Sequence, residues 1–296
     1  MPDRPETTVA DELSWAALIL TEVGIESPRA DAEWLLAATL DVDRGRLLVL
    51  DDIDAAATAD FRAAVRRRAS RVPLQHIIGT AAFGPAEVAV GPGVFTPRPE
   101  TEFLAEWAAR HLSAEPGPST VVDLCSGSGA LAVAIALLVP TTRVYAVERS
   151  AAALIWLRRN VDAYPSDVSD RITVVPCDVT DAAAMRAALP VGTVDVVVAN
   201  PPYVPLHADV SAEVAHDPAD AVYGGADGMS VIVPMLPVIA ELLRPGGVTG
   251  IEHDETTSVA VLAAVRATDA FDDVVPRDDL TGRPRFVTAG RVTTTR

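Results

Sequence analysis

The stretch VVDLCSGSGALAVAIA, residues 121–136, reads as an apolar strand, a glycine-rich turn and a helix in immediate succession. Gly127 and Gly129 permit a tight turn and let a ligand approach the backbone amides at the start of the helix. The turn, Cys125-Ser126-Gly127-Ser128-Gly129, lacks the third glycine that a dinucleotide-binding G-x-G-x-x-G requires. A plain strand-to-helix connection would also account for its glycines.

Outward from this unit the pattern repeats. Strands are expected at TVVDLC (120–125), RVYAVE (143–148), ITVVPC (172–177), VDVVVAN (194–200), GVTGIEH (247–253), VVPRD (274–278) and RFVTAG (285–290). Helices are expected near 129–139, 151–163, 181–188, 229–243 and 256–268. Alternation of this kind implies right-handed crossovers and a parallel sheet covered on both faces. No helix pattern separates the last two strands, so an antiparallel hairpin should close the sheet at one edge. The fold class is therefore α/β, Rossmann-like.

Upstream the period differs. Leu13, Ala16, Ala17, Leu20 and Val23 recur at helical spacing before Gly24, and Ser27-Pro28 opens a second helix carrying Ala32, Leu35, Leu36 and Leu40. A third helix runs from about 55 to 70, and no strand pattern interrupts this block. Residues 73–97 contain two extended runs, LQHIIGTAAF and AEVAVGPGVF, around Gly84-Pro85, which predicts a hairpin. The expected organisation is a helical domain over 1–72, a hairpin linker over 73–97 and the α/β domain over 98–296.

The chemistry should sit at the carboxyl ends of the parallel strands. The second strand ends at Glu148, 25 residues after Asp123, where an acidic side chain commonly takes ribose hydroxyls. The third ends near Cys177, with Asp178 and Val179 placed to flank an adenine. The set suits an adenosine ligand without pyrophosphate. S-adenosylmethionine is such a ligand, and Asp123 can balance its positive methionine end.

The fourth strand runs into Asn200-Pro201-Pro202-Tyr203. Proline has a carbonyl but no N–H, so this stiff segment presents acceptors only, and Asn200 adds a side-chain carbonyl. Two fixed acceptors suit a planar NH2 with two donors, over which the Tyr203 ring can lie. Such a nitrogen is a poor nucleophile. Holding its protons aims it at an activated methyl and stabilises the charge that develops, so catalysis is positioning plus electrostatics.

Bulk properties narrow the partners. The 296 residues carry a net charge of -17, which opposes a polyphosphate partner. Two cysteines, Cys125 and Cys177, read as small buried thiols. No Cys/His spacing resembles a zinc site, so no metal is expected. The polar, acidic start MPDRPETTVADE is unlike a secretory signal, and the longest apolar run, residues 130–139, is too short to cross a bilayer. A cytoplasmic protein is expected.

The pairing of D-L-C-S-G-S-G with N-P-P-Y resembles class I methyltransferases that modify planar NH2 groups. With PLQHIIGTAAFG (73–84), FTPRPETE (95–102) and GGADGMSVI (224–232), the whole chain resembles the release factor glutamine (N5) methyltransferases, the PrmC/HemK family. The resemblance implies methyl transfer from S-adenosylmethionine to the glutamine side-chain nitrogen in the Gly-Gly-Gln loop of peptide chain release factors. It implies that Asn200, Pro201, Pro202 and Tyr203 bind that amide, and that the helical domain recognises the substrate. It assigns the cofactor to Asp123, the turn residues Cys125, Ser126, Gly127, Ser128 and Gly129, then Glu148, Asp178, Val179 and Asn200. Cys125 and Ser126 replace the Gly and Thr usual in the family's turn, small-for-small changes that leave it intact. Val179 stands where some relatives carry an aromatic.

Three stretches have two readings each. Residues 95–102 form either part of the active-site wall or a stiff connection. Arg66, Arg67, Arg68 and Arg71 are expected to make a solvated helix face rather than a docking patch. His253-Asp254-Glu255 is expected to be a strand-end loop with a helix-capping aspartate rather than a catalytic group. Two rival functions remain open. Methylation of an exocyclic amine in nucleic acid needs a basic groove that the acidity opposes, and a non-catalytic binding module leaves Asn200 and Asp123 unexplained.

Overall fold

The structure, a computed structural model, describes residues 7–115, 117–279 and 281–293. The first six residues of the acidic amino-terminal stretch lie outside it. Its contacts divide the chain into two compact units, one comprising residues up to Thr80 together with Ser211–His216, the other Ala81–Val210 with Asp217 onward. No local pattern signals the 211–216 excursion. Among the described residues no helix is long and apolar enough to cross a membrane.

In the first unit, helices Val9–Glu22, Pro28–Leu40 and Ala55–Ala69 enclose Leu13, Leu20, Leu35, Leu36, Phe61 and Val65. Thr8 and Asp54 cap the first and third by accepting from Asp11 and Ala57 amides. Three expectations change here. Thr7–Thr8 pairs antiparallel with Asp52–Ile53, so a two-residue ladder does interrupt the helices. The run LQHII is a helix, Leu74–Ile78, closed by left-handed Gly79 at φ 93°. Its β-branched pair suggested a strand, but Leu74, Ile77 and Ile78 share one helix face against this unit's core. The hairpin itself is shorter than expected, Thr80–Phe83 with Ala86–Ala89 around Gly84-Pro85.

The arginine run is a further correction. Arg66 and Arg67 are exposed, but Arg68 is buried. It follows Phe61 and Val65 at i+7 and i+3, so helical geometry turns it inward with them. Its guanidinium meets Asp31 Oδ2 at 2.7 Å and Glu213 Oε1 at 3.1 Å, and Arg71 reaches the same Glu213 oxygen at 3.0 Å. A buried guanidinium needs such partners.

The second unit is built on seven strands, β1 (Ser119–Leu124), β2 (Thr142–Glu148), β3 (Ile172–Pro176), β4 (Val194–Ala199), β5 (Leu243–Glu252), β6 (Phe271–Asp278) and β7 (Pro284–Arg291). Their order is β6-β7-β5-β4-β1-β2-β3. The first five pair in parallel as expected, and β7 runs antiparallel to both β5 and β6. Successive residues face opposite layers. Val121, Val196 and Val198 pack beneath helices Pro99–Ala114, Ala130–Leu138 and Ala151–Asp162. Val122, Val197 and Ala199 pack beneath Ala182–Ala188, Ile232–Leu242 and Ser258–Ala267. That double burial explains why β1 and β4 read as nearly continuous apolar runs. The strand order reverses between β1 and β4, which opens a crevice at their carboxyl ends.

Candidate active site

A cavity of about 460 Å³ opens at that crevice, within the roughly 300–1,000 Å³ usual for small-molecule sites. Asp123 enters from the end of β1, Cys125, Ser126, Gly127 and Ser128 from the turn, and Glu148 from the end of β2. Asp178 and Val179 enter beyond β3, and Asn200 and Pro202 beyond β4. Phe95, Pro97 and Thr101 also line it, which favours the wall reading of residues 95–102.

The turn works through backbone geometry. Gly127 takes φ 55° and its amide donates to Glu148 Oε2 at 2.9 Å. Cys125 adopts φ 62°, a left-handed conformation that glycine would reach without strain. Gly129 does not line the cavity. A Cβ there would sit 2.5 Å from Leu157 Cδ1, so its glycine lets two helices approach. Both cysteines are unpaired and half-buried rather than buried, because strand ends open into the crevice.

Asp123 is 1% exposed and its Oδ2 has no hydrogen-bond partner. Burial pushes its carboxyl up to about 7, the Ser126 hydroxyl opposes this, and neighbouring Glu148 adds to it. A buried carboxylate oxygen without a partner is costly, and a cation delivered by a ligand would satisfy it. Glu148 accepts from Gly127 and Ser150 amides, one on each oxygen, which leaves acceptor capacity for hydroxyls. Asp178 is pinned by Thr180 and Arg149, and buried Val179 offers an apolar surface beside it. These residues fit the charge and polarity of S-adenosylmethionine from its methionine end to its adenine.

Asp123→Asn separates the two consequences of that buried charge. Its folded pKa lies above the ordinary carboxylate value, so the unfolded chain ionises first as pH rises. Stability without cofactor should therefore fall from about pH 4 to about pH 7 and stay low above that. Relative to the wild type, Asp123→Asn should be more stable above pH 7, by at most roughly 4 kcal/mol. Its affinity for S-adenosylmethionine should drop about tenfold or more. Denaturation against pH and calorimetric titration would check both; wild-type affinity in the variant would remove Asp123 from the cofactor's contacts.

Asn200 donates from Nδ2 to Thr101 Oγ1 at 3.1 Å. That bond turns its Oδ1 into the free acceptor of the side chain. Pro201 and Tyr203 stand outside the cavity lining. The Tyr203 hydroxyl donates to Glu252 Oε1 at 3.1 Å, and burial with the Glu252 charge pushes its pKa up. Glu252 ends β5, is 3% exposed, and burial pushes it up to about 7. It passed unremarked in the sequence, although one acid near the carboxyl end of an apolar strand is itself a signal. His253 is fully buried, and Asp254 caps the turn after it by accepting from Thr256 N, as expected.

Segment 95–98 is anchored within the same unit. Asp217 accepts from the Thr96 amide and hydroxyl, each at 3.2 Å, and from Arg98 Nη2 at 2.6 Å. Arg98 in turn lies 5.1 Å from the Phe95 ring centre. Among the described residues no group of three or more His, Cys, Asp or Glu side chains could hold a metal.

A parallel sheet with this reversal point, an antiparallel last strand, a glycine turn under Asp123 and an acid ending β2 define a class I S-adenosylmethionine-dependent methyltransferase. A family model for the PrmC N-terminal domain matches residues 11–79, and one for RNA cap guanine-N2 methyltransferase matches residues 118–204. The chain is 49% identical over 97% of its length to the release factor glutamine methyltransferase of Mycolicibacterium smegmatis, covering 99% of that protein. The Corynebacterium glutamicum protein of the same name is 44% identical over 96% of this chain and 99% of its own length. The chain belongs to the release factor glutamine methyltransferase family.

Proposed function

We propose that this enzyme transfers the methyl group of S-adenosylmethionine to the side-chain amide nitrogen of the glutamine in the Gly-Gly-Gln loop of peptide chain release factors. The observation that carries the chemistry is the orientation of Asn200. Its NH2 is committed to Thr101, so Oδ1 is left to accept from a substrate NH2 beside the cofactor cavity. The second acceptor in this reading is a backbone carbonyl of the Pro201-Pro202 segment, of which Pro202 lines the cavity. The cofactor supplies a sulfonium-activated methyl; the chain's own residues hold the amide in line and favour the charge it acquires. Tyr203 braces this segment from behind through its hydrogen bond to Glu252. Family membership supports glutamine over a nucleic-acid base, and the net charge of -17 supports the absence of direct nucleic-acid contact. In this reading the amino-terminal unit recognises the release factor outside its loop, the reaction is cytoplasmic, and no membrane takes part.

The test is labelled-methyl transfer with purified enzyme, offering release factor, a release factor whose Gly-Gly-Gln glutamine is replaced, tRNA and DNA in parallel. Label should appear on the unmodified release factor alone. Label on nucleic acid, or equal label on the altered factor, would overturn the assignment.

A further inference from the structure

Trp156, Asn160 and Tyr164 recur every four positions along helix Ala151–Asp162 and the turn that follows it, so they share one side. That side lies along the chain leaving the hairpin. The Trp156 indole donates to the Pro92 carbonyl at 3.3 Å. Asn160 accepts from the Ala89 amide at 2.8 Å and donates to the Ala89 carbonyl at 2.9 Å. The Tyr164 hydroxyl accepts from the Glu87 amide and donates to the Glu87 carbonyl, both at 2.9 Å. Glu87 and Ala89 each have N–H and C=O taken by one side chain, as a neighbouring antiparallel strand would take them. Strand Ala86–Ala89 is thus paired to Thr80–Phe83 on one edge and to two side chains on the other.

Asn160 makes one bond that the other two do not. Its Nδ2 also donates to the Ser128 carbonyl at 2.8 Å. Ser128 lines the cavity and Asn160 does not, so that carbonyl is taken from behind the turn. The same peptide unit is held at its other end, where the Gly129 amide donates to the Ser126 carbonyl at 2.8 Å. A planar unit fixed at both ends cannot rotate, and its plane sets the direction in which Ser128 meets the cavity. We propose that Asn160 is a positioning residue for the cofactor, clamping the Ser128–Gly129 peptide to the hairpin strand so that the turn holds its binding shape before S-adenosylmethionine enters. This inference rests on the turn being the cofactor's seat, and it does not depend on which nitrogen receives the methyl.

The clamp needs an amide. Asn160 is 2% exposed, and it spends both Nδ2 hydrogens on carbonyls and Oδ1 on an N–H. Truncation leaves the Ser128 carbonyl without its donor and frees the peptide plane, so the cofactor must order the turn as it binds. By reciprocity, bound cofactor steadies the Asn160 bond to Ser128.

Two readouts test this. Asn160→Ala should raise the dissociation constant and the KM of S-adenosylmethionine about tenfold, with kcat at saturating cofactor nearly unchanged. Tyr164→Phe loosens the same strand at Glu87 without touching the turn, so its cofactor affinity should stay near the wild-type value. A mere brace of the hairpin would instead weaken both variants alike, and that result would overturn the clamp. The second readout uses the wild type and so does not require Asn160→Ala to fold. The chain contains two asparagines, Asn160 and Asn200, so labelled asparagine gives two side-chain NH2 signals, and the one that persists in Asn200→Ala belongs to Asn160. That signal should shift on titration with S-adenosylmethionine although Asn160 stands outside the cavity lining. An Asn160 signal unmoved at saturation would overturn the clamp, as would lost affinity in Asp123→Asn with none lost in Asn160→Ala. Wild-type affinity in both would overturn the cofactor's place in the turn. A wild type that leaves release factor unlabelled would overturn the substrate assignment alone, and the binding comparison would still decide the clamp.

Discussion

Asn200→Ala should lose methyl transfer by roughly 10²–10³-fold in kcat while binding S-adenosylmethionine close to normally. The side chain supplies one of two acceptors for the reacting nitrogen, and its loss leaves the substrate NH2 free to rotate away from the methyl. The cofactor's anchors lie on other strands, at Asp123, Glu148 and Asp178, and none of them contacts Asn200 through a hydrogen bond. Single-turnover kinetics with isothermal titration would separate the two quantities. Turnover within a few-fold of the wild type would show that Asn200 is not a reacting-site contact.

Gly228→Ala should cost nearly as much, from a residue that touches no substrate. Gly228 takes φ 79°, and an alanine Cβ there would press on the Tyr203 carbonyl oxygen, with the Tyr203 carbonyl carbon and Thr257 Cγ2 both at 3.2 Å. Its neighbour Gly224 meets the Pro202 carbonyl in the same way, at 2.5 Å. Backbone cannot rotate aside as a side chain can, so the Pro202-Tyr203 segment must move. A shift of about 1 Å at a reacting centre costs on the order of 10²-fold. Gly84→Ala is the control, since Gly84 also has positive φ, at 51°, but nothing lies within 4 Å of its added Cβ. Both variants should be checked for native circular dichroism. A folded Gly228→Ala with wild-type turnover would show that this clasp has slack.

The same segment shows what a sequence conveys and what it withholds. All seven sheet strands were legible, because β1 to β5 are apolar runs between helical periods and β6 and β7 lack a helix between them. That Asp123, Glu148 and Asp178 would meet at the carboxyl ends of the strands was legible as well, since strand ends place them by topology alone, and all three line the cavity. Thr101 and Glu252 were not assigned their parts. Each sits inside a regular element, one in a helix's first turn and the other in a strand, where periodicity counts them as exceptions to an apolar face. What links Thr101 to Asn200 is proximity across 99 positions, and Glu252 to Tyr203 across 49, which no spacing rule encodes. Arg68 failed for the opposite reason: four arginines drew attention as a charge run, and its place on the face of Phe61 and Val65 went unweighed.

Glu213 has a consequence in time rather than in space. It stands 145 positions beyond Arg68, yet it closes an ion pair inside the first unit. A ribosome adding 5–20 residues per second needs on the order of 10 s to cover that interval. The helices around Leu20, Leu36 and Phe61 can assemble meanwhile, with Arg68 held by Asp31 and Arg71 by the carbonyls of Val23 and Gly24. The first part of the chain to be synthesised is thus among the last to be completed, and any product released before residue 213 leaves both arginines without their shared carboxylate.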